Sequence, residues 1–120
     1  MTLTERIIQL GIRVHRRLGP GLLESIYETC LCWELRHSGI AHARQVPLAV
    51  TYEDMQLASA FRADIIVEQQ VVLEIKAIER ILPLHEAQIL TYVRLSACQV
   101  GLLMNFNSVM LKDGLRRVVR

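Results

Sequence analysis

Residues 61–77 read FRADIIVEQQVVLEIKA. Ile65–Val67 and Val71–Leu73 are apolar runs separated by a short polar break, the pattern of a β-hairpin whose strands are buried. Asp64, Glu74 and Lys76 interrupt that pattern. Glu74 and Lys76 are two residues apart, so on a strand both side chains point to one face. The position of Asp64 depends on the turn. A three-residue loop of Glu68, Gln69 and Gln70 sets Val67 opposite Val71 and Asp64 opposite Glu74. A two-residue loop would shift the register by one and send Asp64 to the other face. The three-residue loop is the expected one. Two neighbouring carboxylates repel, and each loses hydration in a partly enclosed site. One lysine neutralises only one of them, whereas a divalent cation resolves the imbalance, and hard oxygen ligands suit Mg²⁺. The competing reading is a solvated Asp-Glu-Lys cluster on an exposed sheet face.

The pattern outside this hairpin predicts the remaining elements. Thr2 and Glu5 have capping-box spacing, and Ile7, Gly11, Val14 and Leu18 follow at helical intervals up to Gly19-Pro20-Gly21. A second helix is expected from about Leu22, with Leu23, Ile26, Tyr27, Cys30 and Leu31 facing a core and Gly39 just past its end. Period-two patterning then predicts strands over Val46–Tyr52, Leu57–Val67 and Val71–Ile78, with a turn at Glu53–Gln56. Pro47 marks the first of these as an edge or entry strand. Pro83 suits the first turn of a helix reaching about Ala97, and Gln99–Phe106 has the length of a buried strand. Lys112-Asp113-Gly114 predicts a hairpin turn within the tail, Val109–Val119. The order is α-α-β-β-β-α-β, an α/β sandwich around a mixed sheet.

The chain has 120 residues, sufficient for one domain over 1–120 and too few for two, and no linker-like segment divides it. No run of about 18 apolar residues predicts a membrane span. Scattered charges in MTLTERIIQLGIRVHRR do not form a signal-peptide layout, and a cytoplasmic protein is expected. Cys30 and Cys32 point about 200° apart on a helix, so they cannot pair or share a metal. A net charge of +2 does not by itself indicate nucleic acid. Arg13, Arg16 and Arg17 cluster near one end and Arg116, Arg117 and Arg120 near the other, which fits solvated faces as well as phosphate contacts.

Asp64 followed by Glu74-Ile75-Lys76 resembles the D-x(n)-(D/E)-x-K core of the PD-(D/E)XK nuclease superfamily, with Ala63 in place of the less constant proline. Two further features strengthen the resemblance. Gln88 and Tyr92, spaced i, i+4 on the helix after the ExK strand, resemble the Q-x-x-x-Y element of the RecB-type branch. His85 is one turn earlier, placed either to reach the site or to cap the helix. Gly21-Leu22-Leu23-Glu24-Ser25-Ile26-Tyr27 resembles the G-x-x-E-x-x-Y signature of a small bacterial family placed in the same superfamily, and LPLHEAQILTY and GLLMNFN extend the similarity along nearly the whole chain.

The resemblance implies a restriction-endonuclease-like αβββαβ core with an extra N-terminal helix and a C-terminal hairpin. It further implies a Mg²⁺- or Mn²⁺-dependent endo- or exonuclease. Asp64, Glu74, the Ile75 carbonyl and Glu24 would be metal ligands; Asp64, Glu74, Lys76, Gln88 and Tyr92 would form the catalytic set. Glu24 has a second explanation, since an acid in a first helical turn is favoured by the helix dipole alone. Tyr27 reads chiefly as a packing residue. The implied partner is nucleic acid, DNA ahead of RNA, with a homodimer as the assembly to test. Two rivals stand beside this reading: a non-catalytic module that binds nucleic acid or protein on the same fold, and a hydrolase of some other phosphoester.

Overall fold

Helix α1 (Leu3–Leu18) starts with the capping box that Thr2 and Glu5 predict. Thr2 Oγ1 accepts from the Glu5 N–H at 3.1 Å, and Glu5 Oε2 accepts from the Thr2 N–H at 3.2 Å. The helix stops at Gly19, whose φ of 69° lies in the left-handed region. The computed structural model describes residues 1–120.

Helix α2 (Glu24–His37) buries Tyr27, Glu28, Leu31, Cys32 and Leu35. The expected face differed in part: Leu23 and Ile26 are exposed. Tyr27 and Leu31 do face the core, and three contacts hold Tyr27 there. The Tyr27 hydroxyl donates to the Gly19 carbonyl at 2.6 Å and accepts from the Leu22 N–H at 3.0 Å, and its ring stacks on Phe106 at 4.6 Å. Tyr27 is thus a packing residue that closes the α1–α2 connection.

Strands β1 (His42–Tyr52) and β2 (Met55–Val67) form a long antiparallel pair turning at Glu53 and Asp54. Strand β3 (Val71–Lys76) follows, then α3 (Pro83–Ser96), β4 (Val100–Asn105) and β5 (Leu115–Val119). The sheet order is β1-β2-β3-β4-β5, which places Pro47 on an edge strand, as its missing N–H requires. Strands β3 and β4 are parallel, from Val71 opposite Val100 to Lys76 opposite Asn105, and α3 is their crossover. All other pairs are antiparallel. This is the αβββαβ order of a restriction-endonuclease-like fold, a mixed sheet flanked by three helices.

The tail departs from the expected local hairpin. Leu111–Gly114 form a single 3-10 turn, and β5 returns onto β4, with Val100 opposite Val119 and Met104 opposite Leu115. An apolar strand with an unpaired edge is a stronger partner than a second half of a short tail. Gly114 permits the turn, because a Cβ there would collide with the Asn105 carbonyl and the Ser108 hydroxyl.

One apolar cluster joins α1 and α2 to the sheet through Ile7, Val14, Leu31, Leu35, Ile65, Leu73, Ile75, Leu102 and Met104. The other joins α3 to the opposite face through Ala63, Val72, Ile89 and Val93. Strand β3 therefore divides its side chains between two layers, Leu73 and Ile75 to one and Val72 to the other. Gly101 seats α3 closely: a Cβ there would lie 2.6 Å from Val93 Cγ2 and 2.8 Å from Ile89 Cγ1. No helix is long and apolar enough to cross a membrane.

Candidate active site

The β2–β3 connection has the three-residue form. Glu68 and Gln69 have φ values of 52° and 56°, and Val67, Ile66 and Ile65 pair with Val71, Val72 and Leu73. The paired register ends there, and Asp64 and Glu74 are the next residues abreast. Asp64 takes over where the ladder stops: its Oδ2 accepts the Ile75 N–H at 2.7 Å. The carboxylate thus substitutes for a backbone acceptor, which fixes its distance from β3.

Glu74 is 8% exposed, with Oε1 3.8 Å from the Lys76 ammonium. Its second oxygen, Oε2, is buried and has no hydrogen-bond donor. Burial pushes the Glu74 carboxyl up to about 8, and the Asp64 charge and Glu24 add to the rise while Lys76 opposes it. Asp64 is also raised, first by burial and then by Glu28, against the Ile75 N–H, which lowers it. The two carboxylates disfavour each other's ionisation, and the Asp64 charge is the largest electrostatic cause of the rise at Glu74 after burial. As two anions they have no donor between them, so only a proton or a cation can bridge the pair.

Tyr92 reaches the same ground from α3. Burial raises its phenol, and the Glu74 and Asp64 charges raise it further, so the hydroxyl stays protonated as a donor. Its ring tilts against Phe61 of β2 at 5.6 Å. Gln88, one turn earlier, is half-buried and not hydrogen-bonded to any of the acids. His85 is a cap: its Nδ1 accepts the Leu82 N–H at 2.9 Å at the start of α3. Glu24 comes to the end of β3 from the first turn of α2, where Oε2 accepts the Ala77 N–H at 3.2 Å. No three His, Cys, Asp or Glu side chains are arranged as a cage that holds an ion by themselves.

Three neighbours of these acids did not emerge from the sequence. Glu28, one turn after Glu24 on α2, is buried and paired with Arg44 at 2.9 Å. Gln45 donates to both Glu28 oxygens, at 3.0 and 3.1 Å. The i, i+4 spacing of Glu24 and Glu28 was a readable signal, whereas nothing local to Arg44 and Gln45 announces their partners. Asn105 is the third: its Oδ1 accepts the Ile78 N–H and its Nδ2 donates to the Ile78 carbonyl, each at 3.0 Å. That pair straps down the segment leaving β3, just beyond Lys76.

The donor set suits a hard cation. Carboxylate oxygens dominate it, one of them buried without a donor, and a cation would relieve the repulsion that raises Glu74. No curated protein and no solved structure matches the chain. A family model described as the PD-(D/E)XK nuclease superfamily matches residues 1–118. The match spans the helix that carries Glu24, the strands that carry Asp64, Glu74 and Lys76, and the helix that carries Tyr92, and the chain belongs to the PD-(D/E)XK nuclease superfamily.

Proposed function

We propose that the protein is a nuclease that hydrolyses phosphodiester bonds with Mg²⁺ or Mn²⁺, with DNA as the substrate ahead of RNA. The observation that carries this reading is the buried Glu74 oxygen without a donor beside a second carboxylate. Superfamily members generally use divalent metal ions. Here Asp64, Glu74 and the Ile75 carbonyl would hold the ion, with Glu24 as a direct or water-mediated ligand. A residue's N–H and C=O leave a strand on the same side, so the Ile75 carbonyl faces the Asp64 side. A divalent ion so held supplies Lewis-acid polarisation of the phosphate and a more acidic bound water.

The chain's own groups do the rest. Lys76 is the charge that faces developing negative charge at phosphorus or orients the attacking water. The Tyr92 hydroxyl donates to a water or a phosphate oxygen, and Gln88 serves the same side of the ledge. We read the G-x-x-E-x-x-Y stretch at Gly21–Tyr27 as placing the chain in that bacterial family, and residues 1–120 as one cytoplasmic nuclease domain. The test is incubation with labelled single-stranded, duplex and branched DNA and RNA, with Mg²⁺, Mn²⁺ or EDTA and Glu74→Ala as control. Cleavage that needs the ion and disappears in the variant is expected. Failure to cleave any substrate, together with no Mn²⁺ uptake by calorimetry, would leave the non-catalytic module as the function.

A homodimer belongs to this proposal, and the β1–β2 arm is its contact. Only residues 65–67 of β2 pair with β3, so the outer part of the hairpin stands beyond the sheet. Cross-strand neighbours share a face, which aligns Leu48 with Phe61, Val50 with Leu57 and Tyr52 with Met55 in one apolar stripe. Tyr52, Met55, Leu57 and Phe61 are exposed. No Lys, Arg or His occurs from Val46 to Phe61, and the only charges are Glu53 and Asp54 at the tip. Such a stripe is a poor phosphate contact and a good apolar one, and a second copy supplies its complement. Light scattering should give twice the chain mass, and Leu57→Lys should halve it. A monomeric wild-type protein at tens of micromolar would end this part of the reading.

A further inference from the structure

Gln45 lies within β1 with a φ of 51°, the left-handed region that a non-glycine residue occupies only at a cost. Arg44 and Val46, on either side, pair with Ile65 and Ala63, but Gln45 and Asp64 between them do not pair. The distortion brings the Gln45 amide to the acids. Its Nε2 is 3.0 and 3.1 Å from the two Glu28 oxygens and 3.5 Å from Asp64 Oδ1. Glycine or asparagine would fit this backbone with less strain. Glutamine adds the reach to span both carboxylates.

Glu28 is an anchor and not a cation ligand. Arg44 Nε donates to Glu28 Oε2 at 3.0 Å, Arg44 Nη2 lies 2.9 Å from the same oxygen, and Arg44 also donates to Thr29 Oγ1 at 3.2 Å. With Gln45 added, both Glu28 oxygens have donors, in contrast to Glu74 Oε2, which has none. A carboxamide nitrogen carries two N–H bonds. One can serve Glu28 while the other serves Asp64, whose second oxygen is already held by the Ile75 N–H. Asp64 is then held at one oxygen by the Ile75 N–H and faced at the other by the Gln45 amide at 3.5 Å, a neutral group that separates it from the Glu28 charge.

We infer that Gln45 is a positioning residue: anchored by the Glu28–Arg44 pair, it orients the Asp64 carboxylate toward the cation and screens it from Glu28. The inference rests on the nuclease reading for its functional consequence, but the contact itself can be tested without it. Gln45→Gly removes the amide and relieves the strained backbone but takes the donor from buried Glu28 Oε1, so its melting temperature is measured alongside to separate positioning from folding, with Gln45→Ala as its companion. Calorimetry with Mn²⁺ should show affinity weakened about tenfold or more, the range typical of groups that orient metal ligands. The kcat should fall by a similar factor while KM for nucleic acid holds. The Ile75 amide, monitored by hydrogen exchange in NMR without metal, should lose protection as Asp64 gains freedom.

Gln45→Gly that binds Mn²⁺ within twofold of wild type, with the Ile75 amide unchanged, would overturn the inference. A wild-type protein that neither cleaves nor binds Mn²⁺ would overturn the nuclease reading instead. In that case, loss of Ile75 protection in Gln45→Gly still upholds the positioning contact.

Discussion

Glu74→Gln and Asp64→Asn should each lower metal-dependent cleavage by at least ~10³-fold, the scale on which removing preorganised charge stabilisation acts. Both substitutions keep the shape of the side chain and remove its charge. In Glu74 the affected group is already buried and one of its oxygens has no donor, so an amide there is easier to bury than the carboxylate. Loss of activity with a retained or raised melting temperature would therefore locate the effect in the chemistry. Lys76→Ala should separate from these two. Its ammonium is 3.8 Å from Glu74 Oε1 and only partly buried, so its loss should cut kcat by roughly 10²-fold while Mn²⁺ affinity changes less than it does in the acid variants. Calorimetry and single-turnover kinetics on the three proteins make the comparison. Wild-type rates in Glu74→Gln would remove this ledge from the reaction.

In EDTA, the folded protein should lose stability as pH rises from about 5 to about 8.5. Glu74 has its carboxyl raised from 4.5 to about 8, chiefly by burial. The folded chain therefore binds this proton more tightly than the unfolded chain does. Its contribution to stability is fully present below the unfolded value and is lost as pH rises through the folded one. Asp64, also raised by burial, acts in the same direction. At ~1.4 kcal/mol per pKa unit, a shift of this size corresponds to a loss of roughly 3–5 kcal/mol. Cys32, raised to about 11 by burial, titrates above this window.

Urea denaturation between pH 5 and 9 measures the effect, and Glu74→Gln should flatten it. Saturating Mn²⁺ at pH 8 should restore the lost stability, because an ion that binds the ionised pair favours the folded state. A pH-independent stability, or a fall that persists unchanged in Glu74→Gln, would contradict a buried, proton-holding Glu74. On the proposed reading this instability is the counterpart of function, since acids kept together for a cation are unfavourable neighbours without one.

Much of the site was legible because its spacing is local. Glu74 and Lys76 share a face through the period of a strand, and the odd loop at Glu68–Gln70 sets Asp64 abreast of them. Gln88 and Tyr92 are one helical turn apart, and Tyr92 does sense the charges of Asp64 and Glu74. The misses have a common cause. The buried face of α2 takes in Glu28, Cys32 and Leu35 in place of Leu23 and Ile26, since a buried acid with distant partners does not register in an apolar helical period. Glu28 carried no signal of its own because Arg44 and Gln45, which make its burial tolerable, are 16 and 17 residues away. The tail looked like its own hairpin because the edge of β4, its true partner, exists only once the sheet has formed.

The sequence by itself determined the element order, the hairpin register and the meeting of Asp64 on one strand with Glu74 and Lys76 at the end of the next. These follow from periodicity and loop length, which act over a few residues. Only the tertiary structure decided how those charges are held: Asp64 on the Ile75 N–H, Glu24 on the Ala77 N–H, and Gln45 between Glu28 and Asp64. Hydrogen bonds across elements depend on where strands diverge and where a backbone bends. In this chain those are the end of the β2–β3 ladder and the left-handed turn of Gln45.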